Sequence, residues 1–281
     1  MRNRDDRVRR AEGGGRNKDG MAPGVEDGTQ DLGWANPQPT PPCALRPPPT
    51  AGSRPRVAAI VPAWNEAGAI GLVVRAIPRD LVDEVIVVDG GSRDGTPEVA
   101  RASGARVIAQ ERRGYGAACA AGVHAAVAAG AEVLVFLDGD FADDPGDLPL
   151  VLGPVLRDEA DLVLGGRLDR RERGALPPHQ RAGNRVATLL IGLLYRRWLR
   201  DIGSFRAIRI DRLAALDMSH PTYGWPVEMV VKAAKRRYRI VEVPIHYRRR
   251  IGQAKVGGTL RGSALAGYHM LRTIVAYARN G

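Results

Sequence analysis

Two carboxylates with one residue between them close an apolar run: Val133-Leu-Val-Phe-Leu137 is followed by Asp138-Gly139-Asp140. A β-branched run of that length reads as a buried strand. Residues i and i+2 of an extended chain point to the same side, so a strand that ends in D-x-D is expected to present both acids together. Two hard oxygen donors at the carboxyl edge of a parallel sheet suit Mg²⁺ or Mn²⁺ carrying a diphosphate. An ordinary strand followed by an Asp-Gly turn would use the same letters, so the flanking sequence has to decide between the two.

The elements that would position these acids alternate in type. Val57-Ala-Ala-Ile-Val61 reads as a strand. Pro62-Ala-Trp-Asn-Glu66 follows, then a helix through Ile70, Val73, Val74 and Ile77 that Pro78 closes. Glu84 to Asp89 is a second strand and Gly90 to Thr96 a turn, with Asp94 or Thr96 placed to cap a helix beginning near Pro97. Ala105 to Ala109 is a third strand, and Tyr115 to Ala129 an Ala-rich helix. This alternation predicts an α/β fold with a mostly parallel, doubly wound sheet flanked by helices. Such sheets bind ligands outside the carboxyl ends of their strands, where Asn65, Glu66, Asp89, Asp94, Asp138 and Asp140 all fall. Acids that converge there repel one another unless a cation or a set of donors sits among them. A nucleotide with a divalent ion supplies both.

Composition narrows the partners. The 281 residues carry a formal charge of +11, and the surplus lies in the second half: Arg167 to Arg261 holds 22 Lys/Arg against seven acids. Such a field attracts phosphates. Residues 1–55 are charged, then Gly- and Pro-rich, and are expected to be a disordered tail without a core, leaving 56–281 as the folded domain. Two cysteines, Cys43 and Cys119, make neither a disulfide framework nor a zinc site. With no apolar secretory region and no run of membrane-spanning length, a cytoplasmic protein is expected.

In chain order, Pro62-Ala-Trp-Asn-Glu66, Val87-Val-Asp-Gly-Gly-Ser-Arg-Asp-Gly-Thr96, Gly114-Tyr-Gly-Ala-Ala117, Leu137-Asp-Gly-Asp140 and Gly165-Gly-Arg167 appear. Gly183-Asn184, Gly203-Ser-Phe-Arg-Ala207, Gly224-Trp-Pro-Val-Glu-Met229, Val243-Pro-Ile245 and Arg249-Arg-Ile-Gly-Gln-Ala-Lys255 follow. Over about residues 56–275 the chain resembles the inverting family 2 glycosyltransferases of GT-A fold, and within them the dolichol-phosphate mannose synthase group. The resemblance implies transfer of a hexose from a UDP- or GDP-sugar to a polyprenyl phosphate, with Mg²⁺ or Mn²⁺. It implies that Pro62, Trp64, Glu66 and Asp89 line the base and ribose pocket and that Asp138 and Asp140 hold the metal and diphosphate. Arg167, Arg181, Arg249 and Lys255 would hold donor and acceptor phosphates. Departures from the pattern are Gly90 where many relatives have a second acid, Ala142 where some have a third metal ligand, and Ala254 where a serine is common.

The nucleophile decides whether a base is needed. A sugar hydroxyl wants a carboxylate, and Glu228 falls where other branches of the family place one. A lipid phosphate is already ionised and needs only positioning; Glu228 would then organise a nearby arginine or helix end. Arg181 to Arg200 is apolar in its middle and basic at its ends, which fits an interfacial helix at a membrane surface, with 259–279 a second amphipathic stretch. An enzyme peripheral at the inner face of the cell membrane is expected. Other classes fit less well. Gly114-Tyr-Gly116 lacks the third glycine of a dinucleotide site, no phosphate loop of ATPases appears, and the first loop is not the basic one of nucleotidyltransferases. A nucleic-acid-binding protein would explain the charge but not the acids, and aromatic residues are few at 5%. No nucleic-acid partner is expected.

Overall fold

The computed structural model describes residues 54–252 and 260–279. All but the last two residues of the expected tail, and Lys255, lie outside the described residues. The described chain runs β1 (Val57–Ala63), α1 (Ala67–Ala76), β2 (Glu84–Asp89), α2 (Thr96–Ala102), β3 (Arg106–Ala109), α3 (Tyr115–Ala128), β4 (Val133–Phe136) and α4 (Leu148–Leu156). It continues through β5 (Leu162–Arg171), α5 (Pro178–Tyr195), β6 (Arg206–Arg209), α6 (Ile210–Leu216), α7 (Trp225–Lys235), β7 (Ile240–Tyr247) and α8 (Leu260–Arg279).

The strands form one sheet in the order β3-β2-β1-β4-β6-β5-β7. Every pairing is parallel except those of β6, which runs antiparallel to both β4 and β5. The chain winds outward from β1 to β3, then returns across β1 to β4. Strand order therefore reverses between β1 and β4, and a doubly wound sheet opens its ligand crevice at such a point. The end of β1 with its following loop, Pro62 to Glu66, and the loop after β4, Leu137 to Asp140, lie there.

Side-chain alternation builds the two flanking layers. Val57, Ala59 and Val61 of β1 face one core with Ile70, Val73 and Val74 of α1 and Leu148, Val151 and Leu152 of α4. Ala58 and Ile60 face the other, with Ala118 of α3, Ile191 of α5, Val227 and Val230 of α7 and Ile274 of α8. The i, i+3, i+4 spacing in α1 is the reason that helix docks on one side only. It ends as the sequence predicts, because Pro78 forces Ile77 into an extended conformation.

The local differences have local causes. α2 starts at Thr96, one residue early, behind Gly95 in the left-handed conformation. The Asp94 carboxylate accepts from the Thr96 N–H at 3.1 Å. β4 stops at Phe136, so Asp138-Gly-Asp140 lies on a turn rather than on extended strand. That turn closes through Phe141 at φ +61 and an Asp140 Oδ1 bond to the Ala142 N–H at 3.0 Å. α5 begins three residues before Arg181, behind Pro177 and Pro178, and ends at Arg196 in the left-handed region.

The Ala-rich composition of α3 is a packing requirement. A Cβ on Gly122 would stand 2.4 Å from Ile60 Cγ2 and 3.2 Å from Val88 Cγ2, so the helix can lie on β1 and β2 only without it. Gly122→Ala is expected to lower stability by about 1–3 kcal/mol through overpacking, read as a lower urea midpoint with an unchanged slope.

Candidate active site

A cavity of about 700 Å³ opens at the reversal of strand order. From the end of β1 and the loop after it come Pro62, Trp64 and Glu66; from the turn after β4, Asp138, Gly139 and Asp140; from β5, Arg167. Six predicted residues thus meet in one place. Gly139 fits between the acids because a Cβ there would press at 3.2 Å on the Pro62 carbonyl and at 3.3 Å on Ile70. Asp89 stands just behind: its carboxylate accepts from the Gly91 and Ser92 N–H groups at 3.1 Å and fixes the turn that brings Gly90 to the wall. A Cβ on Gly90 would lie 3.2 Å from Gln110 Oε1, so this turn has little room for a second acid.

The acids sit in a charged frame. Asp138 Oδ1 accepts from the Tyr115 hydroxyl at 3.1 Å. Asp143, which the sequence reading passed over, is 2% exposed. Its Oδ2 accepts from Ser204 Oγ at 3.1 Å, while Oδ1 is buried without a partner. Burial and the Asp140 charge push Asp138 above the ordinary carboxylate range. Burial and the charges of Asp138 and Asp140 do the same to Asp143. Arg167 opposes both shifts. It is clamped by Asp201 through Nε at 2.8 Å and Nη2 at 2.6 Å, and lies over the Tyr247 ring at 5.4 Å. Beneath the site Arg206, 1% exposed, donates to the carbonyls of Gly203, Ser204 (3.3 Å) and Pro226 (2.9 Å).

This donor set fits a hard divalent ion. Among the described residues no three His, Cys, Asp or Glu side chains form a metal cluster by themselves. Two carboxylates with positions left over for phosphate oxygens and water are the pattern of Mg²⁺ and Mn²⁺ rather than of zinc. The crowded negative charge and the orphaned Asp143 oxygen give a cation something to offset.

Three predicted residues are elsewhere. Arg249 donates to the Arg173 carbonyl at 2.9 Å, and its N–H to Glu172 at 3.0 Å; it does not line the cavity. The cavity arginine of that run is Arg250, its neighbour. Arg181 is exposed on α5, while Gln180, Gly183 and Asn184 of the same helix line the cavity. Glu228 is fully buried and away from the cavity. Its carboxylate accepts from Ser219 N and Oγ (3.0 Å each), His220 N (2.8 Å) and Tyr277 Oη (2.6 Å), and pairs with Lys232 at 2.8 Å. It organises the loop before α7 and is not among the residues that line the cavity. That loop matters to the site: a Cβ on Gly116 would lie 2.0 Å from the His220 carbonyl, and Tyr223 at its end stacks on Tyr115 with centroids 6.5 Å apart. Tyr115, Asn184 and Ser204 stood in motifs whose roles the spacing did not reveal. Asp143 was visible as a third acid, three residues after Asp140.

The sequence profile described as glycosyl transferase family 2 matches residues 58–216. The dolichyl-phosphate hexose transferase of Haloferax volcanii is 38% identical over 214 residues, covering 74% of this chain and 90% of that protein. The undecaprenyl-phosphate mannosyltransferase of Micrococcus luteus is 34% identical over 228 residues, covering 75% and 91%. The crystal structure of glucosyl-3-phosphoglycerate synthase from Mycobacterium tuberculosis with Mn²⁺, UDP-glucose and phosphoglyceric acid superposes with a TM-score of 0.65. It is 25% identical and covers 80% of each chain.

Glu228 yields a stability test. Burial raises its pKa, but the bonds from Lys232, Tyr277, His220 and Ser219 outweigh burial and hold it below the ordinary 4.5. Its contribution is therefore complete above that value and is lost as pH falls through the lower folded pKa. Glu228→Gln is expected to lower stability at pH 7 by roughly 2–4 kcal/mol and to flatten the acid limb of a denaturation-versus-pH curve.

Proposed function

Because the chain belongs to glycosyl transferase family 2, and is a hexosyltransferase of GT-A fold, we propose that it moves a hexose from a nucleoside-diphosphate sugar to a polyprenyl phosphate at a membrane surface, with inversion and with a divalent ion. Pro62, Trp64 and Glu66 line the nucleoside end of the cavity, with Asp89 setting the adjacent turn. Asp138 and Asp140 would hold Mg²⁺ or Mn²⁺, which offsets charge on the leaving diphosphate. Arg167, fixed by Asp201, adds a preorganised positive charge on the same wall. A phosphate acceptor is ionised at neutral pH and needs no side chain to take a proton from it. Glu228, consumed by its own hydrogen bonds, weighs against the hydroxyl-acceptor alternative. Family membership weighs against the nucleic-acid-binding one.

The observation that carries the lipid reading is the far end of the cavity. It passes from the acids to an apolar lining of Leu176, Val186, Ala187 and Ile202, with Met270 and Leu271 of α8. Val186 is also 47% exposed and begins an outward stripe with Leu189 (50%) and Leu193 (62%) on α5, beside Trp198 (68%). The opposite face of the same helix, Ala187 and Ile191, is in the core. An α5 apolar on two faces, with Arg181 and Arg185 exposed at its start, supports contact with acyl chains and headgroups. None of the helices among the described residues is long and apolar enough to cross a membrane. The names of the two curated relatives, which act on dolichyl and undecaprenyl phosphate, support the same acceptor class.

The direct test is nucleotide release from a panel of UDP- and GDP-hexoses with Mg²⁺ or Mn²⁺, with and without polyprenyl phosphate. Lipid-dependent release is expected, and Asp140→Ala should reduce it on the order of 100-fold or more. Release that responds to a soluble phosphorylated acceptor and ignores the lipid would sink the lipid reading. Separately, Leu189→Glu with Leu193→Glu is expected to abolish co-sedimentation with anionic liposomes at low salt; retention of binding would remove α5 as the contact.

A further inference from the structure

Arg250 stands where the two acidic walls of the cavity meet. Its Nη2 donates to Glu66 Oε1 at 3.0 Å and lies 3.3 Å from Asp140 Oδ2. The two carboxylates are nearly buried, at 7% and 11% side-chain exposure, while the arginine keeps 32%. The backbone holds the same segment against the same turn, because the Ile251 N–H donates to the Asp140 carbonyl at 3.0 Å. The two arginines before it are otherwise engaged. Arg248 pairs with Asp144 and lies over Phe141, and Arg249 donates to the Arg173 carbonyl. Arg250 is the member of this run that lines the cavity.

The pairing does not satisfy the guanidinium. Nε of Arg250 is buried with no hydrogen-bond partner, and a buried donor left unpaired is unfavourable unless a ligand takes it up. One of its two carboxylate partners, Asp140, is also one of two acids expected to hold a divalent ion. A monovalent cation at 3.3 Å from that carboxylate and a divalent ion on the same group would repel strongly in a half-buried site. The guanidinium is a fork suited to phosphate oxygens as much as to carboxylates.

We propose that Arg250 is an exchangeable counter-ion of the metal site. It neutralises Asp140 and Glu66 in the unliganded protein, gives up Asp140 to the divalent ion, and turns to the phosphate groups that arrive with it. This rests on the metal-dependent reading above and goes beyond it. The chain's own cation weakens metal binding in the absence of nucleotide and strengthens it in its presence. Metal and diphosphate then load together, because neither alone both displaces the arginine and gives it a new partner. The coupling is a linkage free energy between two ligands, so it acts equally on each.

The test is direct binding of Mn²⁺, by electron paramagnetic resonance and by calorimetry, to the full chain without nucleotide and with UDP or GDP. Arg250→Gln is expected to bind Mn²⁺ alone roughly tenfold tighter than the parent, and to lose most of the mutual enhancement between Mn²⁺ and the nucleotide. Arg250→Lys, which keeps the charge, should stay near the parent, and Arg249→Gln should leave Mn²⁺ affinity unchanged. Thermal melts confirm that each variant is folded. Equal or weaker Mn²⁺ binding by folded Arg250→Gln overturns the inference while leaving metal dependence intact. Absence of Mn²⁺ binding to parent and variant alike, with or without nucleotide, overturns the metal reading and this inference together.

Discussion

Three carboxylates share the turn after β4, and burial makes their mutual repulsion strong. Asp138, Asp140 and Asp143 can stay together only because the surroundings supply donors and positive charge from several directions. Tyr115 comes from α3, Ser204 from the approach to β6, Arg167 from β5 and Arg250 from the end of β7. The one antiparallel strand explains how the sheet delivers Ser204. Arg206 of β6 pairs in register with Phe136 of β4, so the Gly203-Ser204 segment runs beside the acidic turn. Arg206 has no carboxylate among its hydrogen-bond acceptors; it ties the loop carbonyls and the start of α7 together. Burial lowers its pKa while the Asp138 charge opposes that change. A buried guanidinium under a nest of acids is both a scaffold and a fixed positive field.

The same frame connects the acids to parts of the chain distant in sequence. α8 reaches Glu228 through Tyr277, Glu228 fixes Ser219 and His220, and the following residues hold Tyr223 against Tyr115, which bonds Asp138. Close backbone approach at Gly114 and Gly116 makes the middle of this path rigid, since a Cβ at either would collide with the 220–221 carbonyls. The apolar end of the cavity and its acidic end are thus built on one continuous set of contacts, and the helices that line the first also brace the second.

Much of this was legible in the sequence, for a physical reason. Period-two and period-3.6 apolar patterns report burial, and burial decides where strands and helices go. Hence β1 to β4 and the crevice at their carboxyl ends followed from Val57–Val61, Glu84–Asp89 and Val133–Leu137. Pro62, Trp64, Glu66, Asp138 and Asp140, at or just past strand ends, reach the cavity for that reason, whereas Arg167, inside β5, was reached only through the family resemblance. Side chains in irregular segments do not follow from such patterns. Arg248, Arg249 and Arg250 follow the end of β7 at Tyr247, and with no period to assign faces, Arg250 rather than Arg249 turned to the cavity. Asp143 escaped because its burial depends on the sharp turn at Phe141, which propensity does not announce. For Glu228 the sequence left two roles open, base or organiser of a helix end; the first turn of α7 faces the preceding loop, whose donors engage the carboxylate as in the second.

α5 poses a problem that the fold does not solve within itself. A helix with Ala187 and Ile191 in the core is normally polar on its outer face. Here the outer face carries Val186, Leu189 and Leu193, and Val186 belongs to the cavity wall as well. If the stripe served only to hold the protein on a surface, it could lie anywhere on the perimeter. Its continuity with the cavity would tie two tasks to one helix under the proposed function: the apolar body of a lipid acceptor would leave the site along the face that meets the bilayer. A charged phosphate would then enter the acidic frame while its tail remained in lipid, and the pull of Arg167 and Arg250 would act against a chain anchored outside. Under that proposal, surface attachment and acceptor binding would be one event, with the Coulombic end deep in the sheet and the hydrophobic end outside it.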